Sequence, residues 1–121
     1  MKKTVIIGAT TNTSRYAYYA AEMLDRYHHE FVPVGIRKGA VLGRGILNIF
    51  EKPKVSDVDT ITLYIGPHHQ KEWYEYILSL KPSRIIFNPG TENPELERKA
   101  IEAGVEAIEA CTLVMLRTGQ F

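Results

Sequence analysis

Behind the short apolar run Lys3–Ile7 the chain reads "GATTNTS", Gly8 to Ser14, without a charged side chain but crowded with hydrogen-bond donors. A loop of this kind, left through a helix, offers backbone N–H groups to an anion at the positive end of the helix dipole. Gly8, Ala9 and Thr10 would bring backbone close to the anion. Thr10, Thr11, Asn12, Thr13 and Ser14 would add uncharged side-chain donors. Thr13 or Ser14 would equally serve as an N-cap, and the two roles are compatible. A single glycine stands here, so neither the three-glycine dinucleotide fingerprint nor a Walker lysine is present.

Three further segments follow strand-like runs: "GIRKG" from Gly35, "YIGP" from Tyr64 and "NPGTEN" from Asn88. An NAD site places Asp or Glu about 20 residues beyond the glycine motif, where it bonds the ribose 2′-hydroxyl. This chain has Gly35, Ile36, Arg37 and Lys38 there, and Glu30 stands at the wrong end of its strand. Two cations fit a ribose carrying an extra phosphate, as in NADP or coenzyme A. A solvated basic turn is the plain alternative. Tyr64, Ile65, Gly66 and Pro67 suit the wall of an adenine slot, although Tyr64 suits a core equally well. Asn88, Pro89 and Gly90 make a second turn at the same rim, or only a turn.

Catalytic chemistry is thin. His28–His29 and His68–His69 are adjacent pairs without a Cys or carboxylate at metal-site spacing. The single cysteine, Cys111, precedes a short helix whose amino end would lower a thiol pKa, but free cysteine is often a small buried residue. No acid–base or nucleophile–base arrangement can be specified.

These segments need a scaffold that gathers them. A buried strand is read at Lys3–Ile7 and further strands at "EFVPV", "DTITLYIG", "RIIFNPG" and "VEAIEA", with "ILNIF" as a short edge strand. Pro33 is placed near the end of its strand, since it cannot donate a ladder hydrogen bond. Ala17, Ala20, Ala21, Leu24 and Tyr27 mark one helical face, and Trp73, Tyr76, Ile77 and Leu80 another. Asn93 is the N-cap of a further helix, with Pro94 and Glu95 in its first turn and Gly104 past its end. Thr112 to Arg117 form a closing helix, and Gly35 to Gly45 a glycine-rich basic loop.

Strands alternating with helices predict a three-layer, doubly wound α/β domain spanning residues 1–121, with about five parallel strands ordered 3-2-1-4-5. Ligands of such sheets sit beyond the carboxyl ends of the strands, where the strand order reverses.

The bulk composition narrows the partners. With 15 Lys and Arg against 14 Asp and Glu, a formal net charge of +1 argues against a dedicated nucleic-acid binder. No apolar run approaches the ~20 residues of a membrane span. The apolar stretch after the first lysines is too short for a signal peptide. One cysteine fits a reducing cytoplasm. A chain ending at Phe121 has room for a nucleotide half-site but not for a complete dehydrogenase.

"GATTNTSRYAYYAAEMLDRYHHEFVPV", "DVDTITLYIGP", "FNPGTENPELERKAIEAGVEAIEAC" and "TLVMLRTGQF" together resemble the small stand-alone CoA-binding domain proteins of bacteria. These are single-domain relatives of the CoA-binding domain of succinyl-CoA synthetase. The resemblance implies a Rossmann-like fold holding coenzyme A, its phosphates near Gly8, Ala9, Thr10 and Ser14, within a motif that includes Asn12 and Arg15. It implies that Val34, Arg37 and Lys38 lie by the 3′-phosphate or adenosine, and Tyr64 to Pro67 along adenine or pantetheine. Relatives tend to carry Asn-Pro where Gly35 and Ile36 stand.

The resulting expectation is a cytoplasmic module that binds coenzyme A or an acyl-CoA without catalysis, as sensor or carrier. Two alternatives stay open. One is an NADP- or acyl-CoA-dependent enzyme completed by a partner or a homodimer. The other is an interaction domain that has lost its ligand.

Overall fold

A computed structural model describes residues 2–121. Six parallel strands form the main sheet: β1 (Thr4–Ile7), β2 (Phe31–Gly35), β5 (Leu47–Asn48), β6 (Thr60–Leu63), β7 (Arg84–Phe87) and β8 (Glu106–Glu109). Their order, β5-β2-β1-β6-β7-β8, is the expected 3-2-1-4-5 with one more strand added at the right-hand edge. The additional strand is the "VEAIEA" segment, and β5 is the short edge strand read in "ILNIF". The order reverses at β1, between β2 and β6, as a doubly wound sheet requires.

Residues of β1 alternate between the two faces. Val5 and Ile7 pack with Ile61, Leu63, Ile85, Phe87, Trp73, Ile77 and Leu96, beneath α3 (Tyr74–Ser79) and α4 (Pro94–Glu102). Ile6 packs the other way, with Ala17, Ala21 and Leu24 of α1 (Tyr16–Arg26) and Leu116 of α5 (Thr112–Arg117). All four β1 side chains are buried, which explains the continuous apolar run. Small Ala17, Ala20 and Ala21 let α1 lie close to the sheet. Tyr27, expected on the same face, is 43% exposed, because the helix ends at Arg26 before its periodicity reaches that position.

Pro33 lies in the middle of β2, not near its end. The carbonyls of Glu30 and Val34 accept from Thr4, Gly8 and Ala9, so alternate residues of β2 face β1. Pro33 faces the other side, where β5 begins to pair only at Val34. No ladder partner is lost.

The expected basic loop after β2 contains a hairpin, β3 (Ala40–Val41) with β4 (Arg44–Gly45). Its two turn residues, Leu42 and Gly43, have φ of 50° and 81°, the left-handed pair of a type I′ turn. Leu42 occupies a position where Asn, Asp or Gly is the usual signal, which hid the hairpin from the sequence. Val41 is buried against α1, and Arg44 stacks on Phe31 at 4.1 Å and pairs with Asp25 at 3.5 Å.

At the amino ends of the strands, Arg84 donates from Nε to Thr60 Oγ1 at 2.8 Å and from Nη2 to the Phe121 carbonyl oxygen at 2.6 Å. Lys2 Nζ reaches the same oxygen at 2.8 Å. The Phe121 ring packs between the Arg84 guanidinium, 4.5 Å away, and His29, 5.0 Å away. His29 Nδ1 accepts from the Lys2 N–H at 3.4 Å, which requires that nitrogen unprotonated.

Burial, followed by the charges of Lys2 and Arg84, holds the His29 pKa below its ordinary 6.5. The folded chain therefore binds fewer protons at His29 than the unfolded chain does. This contribution to stability is complete above about pH 6.5 and is lost as pH falls toward the lowered folded value. We predict that the melting temperature falls between about pH 7 and pH 5.5, and that His29→Gln flattens this slope. Identical slopes in the two proteins would refute the assignment.

Candidate functional site

The end of β1 is held from both sides. Gly8 N and Ala9 N both donate to the Val34 carbonyl at 3.0 Å. Gly8 has φ of +96°, and a Cβ there would stand 3.0 Å from the Tyr64 backbone and the Ile65 side chain. Glycine is thus required by conformation and by space. Gly35 is equally constrained, since its Cβ would lie 2.6 Å from the Ala9 carbonyl. The loop after β1 is pressed between the ends of β2 and β6, at the point where the strand order reverses.

Asn12 shapes the rest of the loop. Its Oδ1 accepts from Ser14 N at 3.0 Å and Ser14 Oγ at 2.7 Å, while its carbonyl accepts from Arg15 N at 3.1 Å. Thr10 Oγ1 accepts from Asn12 N at 3.1 Å. These local bonds turn the chain into α1 one residue later than expected. The N-cap is Arg15, in an extended conformation and without a side-chain cap, rather than Thr13 or Ser14. The hydroxyl of Ser14 donates to Asn12 Oδ1, and Ser14 stands one residue before the cap. The N–H groups of Tyr16 and Ala17 have no acceptor among the described residues and remain available to a ligand.

Two other loops form the facing walls. Behind β6, Tyr64, Ile65 and Gly66 lead into a single turn, α2 (Pro67–Gln70), with Pro67 in its first turn. Behind β7, Asn88, Pro89, Gly90 and Thr91 lead to Asn93, the N-cap of α4, whose Oδ1 accepts from Glu95 N and Leu96 N. The buried amide of Gln70 joins the two loops, donating from Nε2 to the carbonyls of Ile65 and Thr91, both at 2.9 Å. Its Oε1 accepts from Asn93 Nδ2 at 2.9 Å.

Asn88 works in the same manner. It donates from Nδ2 to Thr62 Oγ1 and the Leu63 carbonyl, and its Oδ1 accepts from Thr112 N at 2.9 Å. At 2% exposure and with both amide atoms bonded inside the protein, it holds the rim and does not face a ligand. Neither Gln70 nor the clamping role of Asn88 was evident in the sequence. A glutamine in a polar stretch beside two histidines carries no burial signal.

Between the walls lies a cleft of about 440 Å³, lined by Gly8, Thr10, Ser14 and Arg15, then Tyr16 and Ala17 of α1, then Tyr64–Gly66 and Pro89–Thr91. Burial pushes the Tyr64 hydroxyl up to about 12, with the hydroxyls of Thr112 and Thr62 opposing the shift. That phenol stays protonated at neutral pH.

Of the sequence-derived site residues, Gly8, Thr10, Ser14, Arg15, Tyr64, Gly66, Pro89 and Gly90 line this cleft. Ala9 and Asn12 shape its first loop, Pro67 opens α2, and Val34 is fully buried with its carbonyl anchoring β1. Arg37 and Lys38 lie outside the cleft but adjoin it. A Cβ on Gly39 would stand 2.5 Å from Thr11 Cγ2, so the basic turn abuts the first loop. Both cations are exposed and make no salt bridge among the described residues. Ile65, read with its neighbours as the wall of a slot, lines the cleft as well, as do Tyr16, Ala17 and Thr91, whose side chains the sequence did not single out as candidate contacts. Cys111 is the half-buried N-cap of α5, and the His68 and His69 rings lie 4.1 Å apart on α2.

A doubly wound parallel sheet with a tight glycine turn and a cleft at its carboxyl rim defines a Rossmann-like α/β domain. The chain belongs to the CoA binding domain family, whose family model matches residues 2–117. Its fold is shared by a crystal structure described as that of an uncharacterized protein, at 60% identity and a TM-score of 0.97, covering 100% of this chain and 98% of the other. A Thermus thermophilus protein matches at 21% identity and a TM-score of 0.83 over 99% and 90% of the two chains. A hypothetical protein from Pyrococcus horikoshii OT3 matches at 24% identity and 0.84, over 97% and 82%. Among curated proteins, none matches this chain.

The clamp between the two walls can be tested directly. Gln70→Leu keeps the volume but strands two buried carbonyls and removes one acceptor of the Asn93 amide. We predict a loss of about 2 to 3 kcal/mol of stability, measured by urea denaturation. A loss below about 0.5 kcal/mol, the level of ordinary surface changes, would show that the amide is not a clamp.

Proposed function

We propose that this chain binds coenzyme A or an acyl-CoA at the carboxyl rim of its sheet, as a binding module without chemistry of its own. The observation that carries this reading is the contact of Gly39 with Thr11, which sets the basic Arg37–Lys38 turn against the uncharged donor loop. A ligand with a pyrophosphate and a separate ribose phosphate meets both. The pyrophosphate would take the free N–H groups of Tyr16 and Ala17, the hydroxyl of Thr10 and the Arg15 guanidinium. The 3′-phosphate would lie by Arg37 and Lys38. Tyr64 to Gly66 and Pro89 to Thr91 would border the pantetheine arm, and family membership supports the same ligand.

The residues present fit this group. Gly8 and Gly35 leave no room for side chains where the first loop closes on its neighbours, which keeps backbone exposed to a phosphate. Chemistry is less well provided for. The ionisable side chains lining the cleft are Arg15, Tyr16 and Tyr64, and the Tyr64 hydroxyl, pushed up to about 12, supplies no base at neutral pH. This favours a sensor or carrier over an enzyme subunit. NADP, with its 2′-phosphate, is the second reading, because the same two cations suit it.

A thermal-shift panel of CoA, acetyl-CoA, dephospho-CoA, NADP and NAD separates these readings. A ligand at a hundredfold excess over its Kd stabilises the native state by about 2.7 kcal/mol. We expect shifts with CoA and acetyl-CoA. We also expect Arg37→Ala combined with Lys38→Ala to weaken CoA more than dephospho-CoA. No shift with either CoA species at millimolar concentration would refute the reading, and a shift with NADP alone would replace it.

A further inference from the structure

We infer that Tyr16 is the outer wall of an acyl subsite, so that this chain distinguishes acyl-CoA thioesters from free coenzyme A. The inference rests on the coenzyme A reading and adds what the far end of the ligand meets. Tyr16 is 70% exposed although it lines the cleft, whereas the opposite face of α1 is buried through Ala17, Ala20, Ala21 and Leu24. An aromatic ring of that size left in water at a cleft mouth has apolar area to offer a ligand. It is also braced. Tyr19, one turn further along α1, meets it edge-to-face with ring centroids 6.1 Å apart.

The cleft is chemically one-sided. Among the described residues Arg15 is the one charged side chain lining it, and it stands beside the donor loop. The far walls are Tyr64, Ile65, Gly66, Pro89, Gly90 and Thr91, none of them charged. A ligand whose phosphates lie at the donor loop, with its ribose phosphate toward Arg37 and Lys38, must run its remaining arm between these neutral walls and the Tyr16 ring. Gly66 and Gly90 keep that channel free of side chains. The neutral, partly apolar group fitting such a channel is the pantetheine arm with a short acyl chain attached. The Tyr16 backbone N–H faces the phosphate end while its ring covers the arm, so one residue touches both parts of the ligand.

Isothermal titration of the full chain with CoA, butyryl-CoA and adenosine 3′,5′-bisphosphate tests this, using wild type, Tyr16→Phe and Tyr16→Ala. We expect butyryl-CoA to bind wild type more tightly than CoA. Tyr16→Ala should lower butyryl-CoA affinity by about tenfold, the scale of losing one buried aromatic contact, and reduce the butyryl-CoA to CoA ratio toward one. Tyr16→Phe should keep the ratio, and the bisphosphate, which lacks the arm, should bind all three proteins equally. A ratio unchanged by Tyr16→Ala, or an equal loss for all three ligands, overturns the acyl subsite alone. Failure of wild type to bind any of the three overturns the coenzyme A reading and the subsite with it. The exposed position of Tyr16 leaves folding intact, which a melting curve of each variant verifies.

Discussion

A parallel sheet ends in a row of backbone groups that its ladder no longer satisfies, and the carboxyl rim of this one is closed by two buried amides. Asn88 ties the end of β6 to the start of α5, and Gln70 ties the loop behind β6 to the loop behind β7. Each amide uses its carbonyl and its NH₂ group, and each spans segments far apart in sequence. Without them the loops would present unpaired carbonyls to a dry interior, at a cost of the order of a kilocalorie or more per group. The walls of the cleft are therefore fixed by polar bonds that never touch its contents.

That arrangement divides the labour at the rim. Side chains with strong hydrogen-bonding power face inward and stiffen the walls, while the surface offered to a ligand is largely backbone, small residues and aromatic rings. The donor loop follows the same plan. Thr10 accepts from Asn12 and Asn12 accepts from Ser14, setting the entry of α1, and the helix is left with open N–H groups at its start. A rigid surface of this type suits recognition by shape and by oriented dipoles.

The sequence made the scaffold legible because burial on a parallel sheet leaves an unambiguous mark. Little besides a buried strand produces runs such as Thr4–Ile7 and Arg84–Phe87, and little besides a helix packed close to a sheet produces the alanine face of α1. Asn93-Pro94 announces a helix start by its own chemistry. The donor loop, Tyr64, Gly66 and Pro89-Gly90 were visible for the same reason, since turns behind strands must lie at the rim. Tyr16 and Thr91 were harder to single out as cleft walls, because a residue on a helix or loop says nothing of which direction it faces. Gln70 was hidden because a buried glutamine looks like a surface one until its partners, 5 and 21 residues away in sequence, are known. The left-handed Leu42 concealed a hairpin that Asn would have advertised.

Pro33 in the middle of β2 has a consequence for the polar groups of the interior. Strand β5 pairs with β2 only at Val34 and Gly35, so Pro33 sits where the ladder stops although the chain there is still buried. Any other residue would bring a buried N–H to this position without a strand to accept it, and an unpaired buried donor is costly. Proline carries no such donor. The residue that looks misplaced in its strand thus spares the interior an unsatisfied polar group.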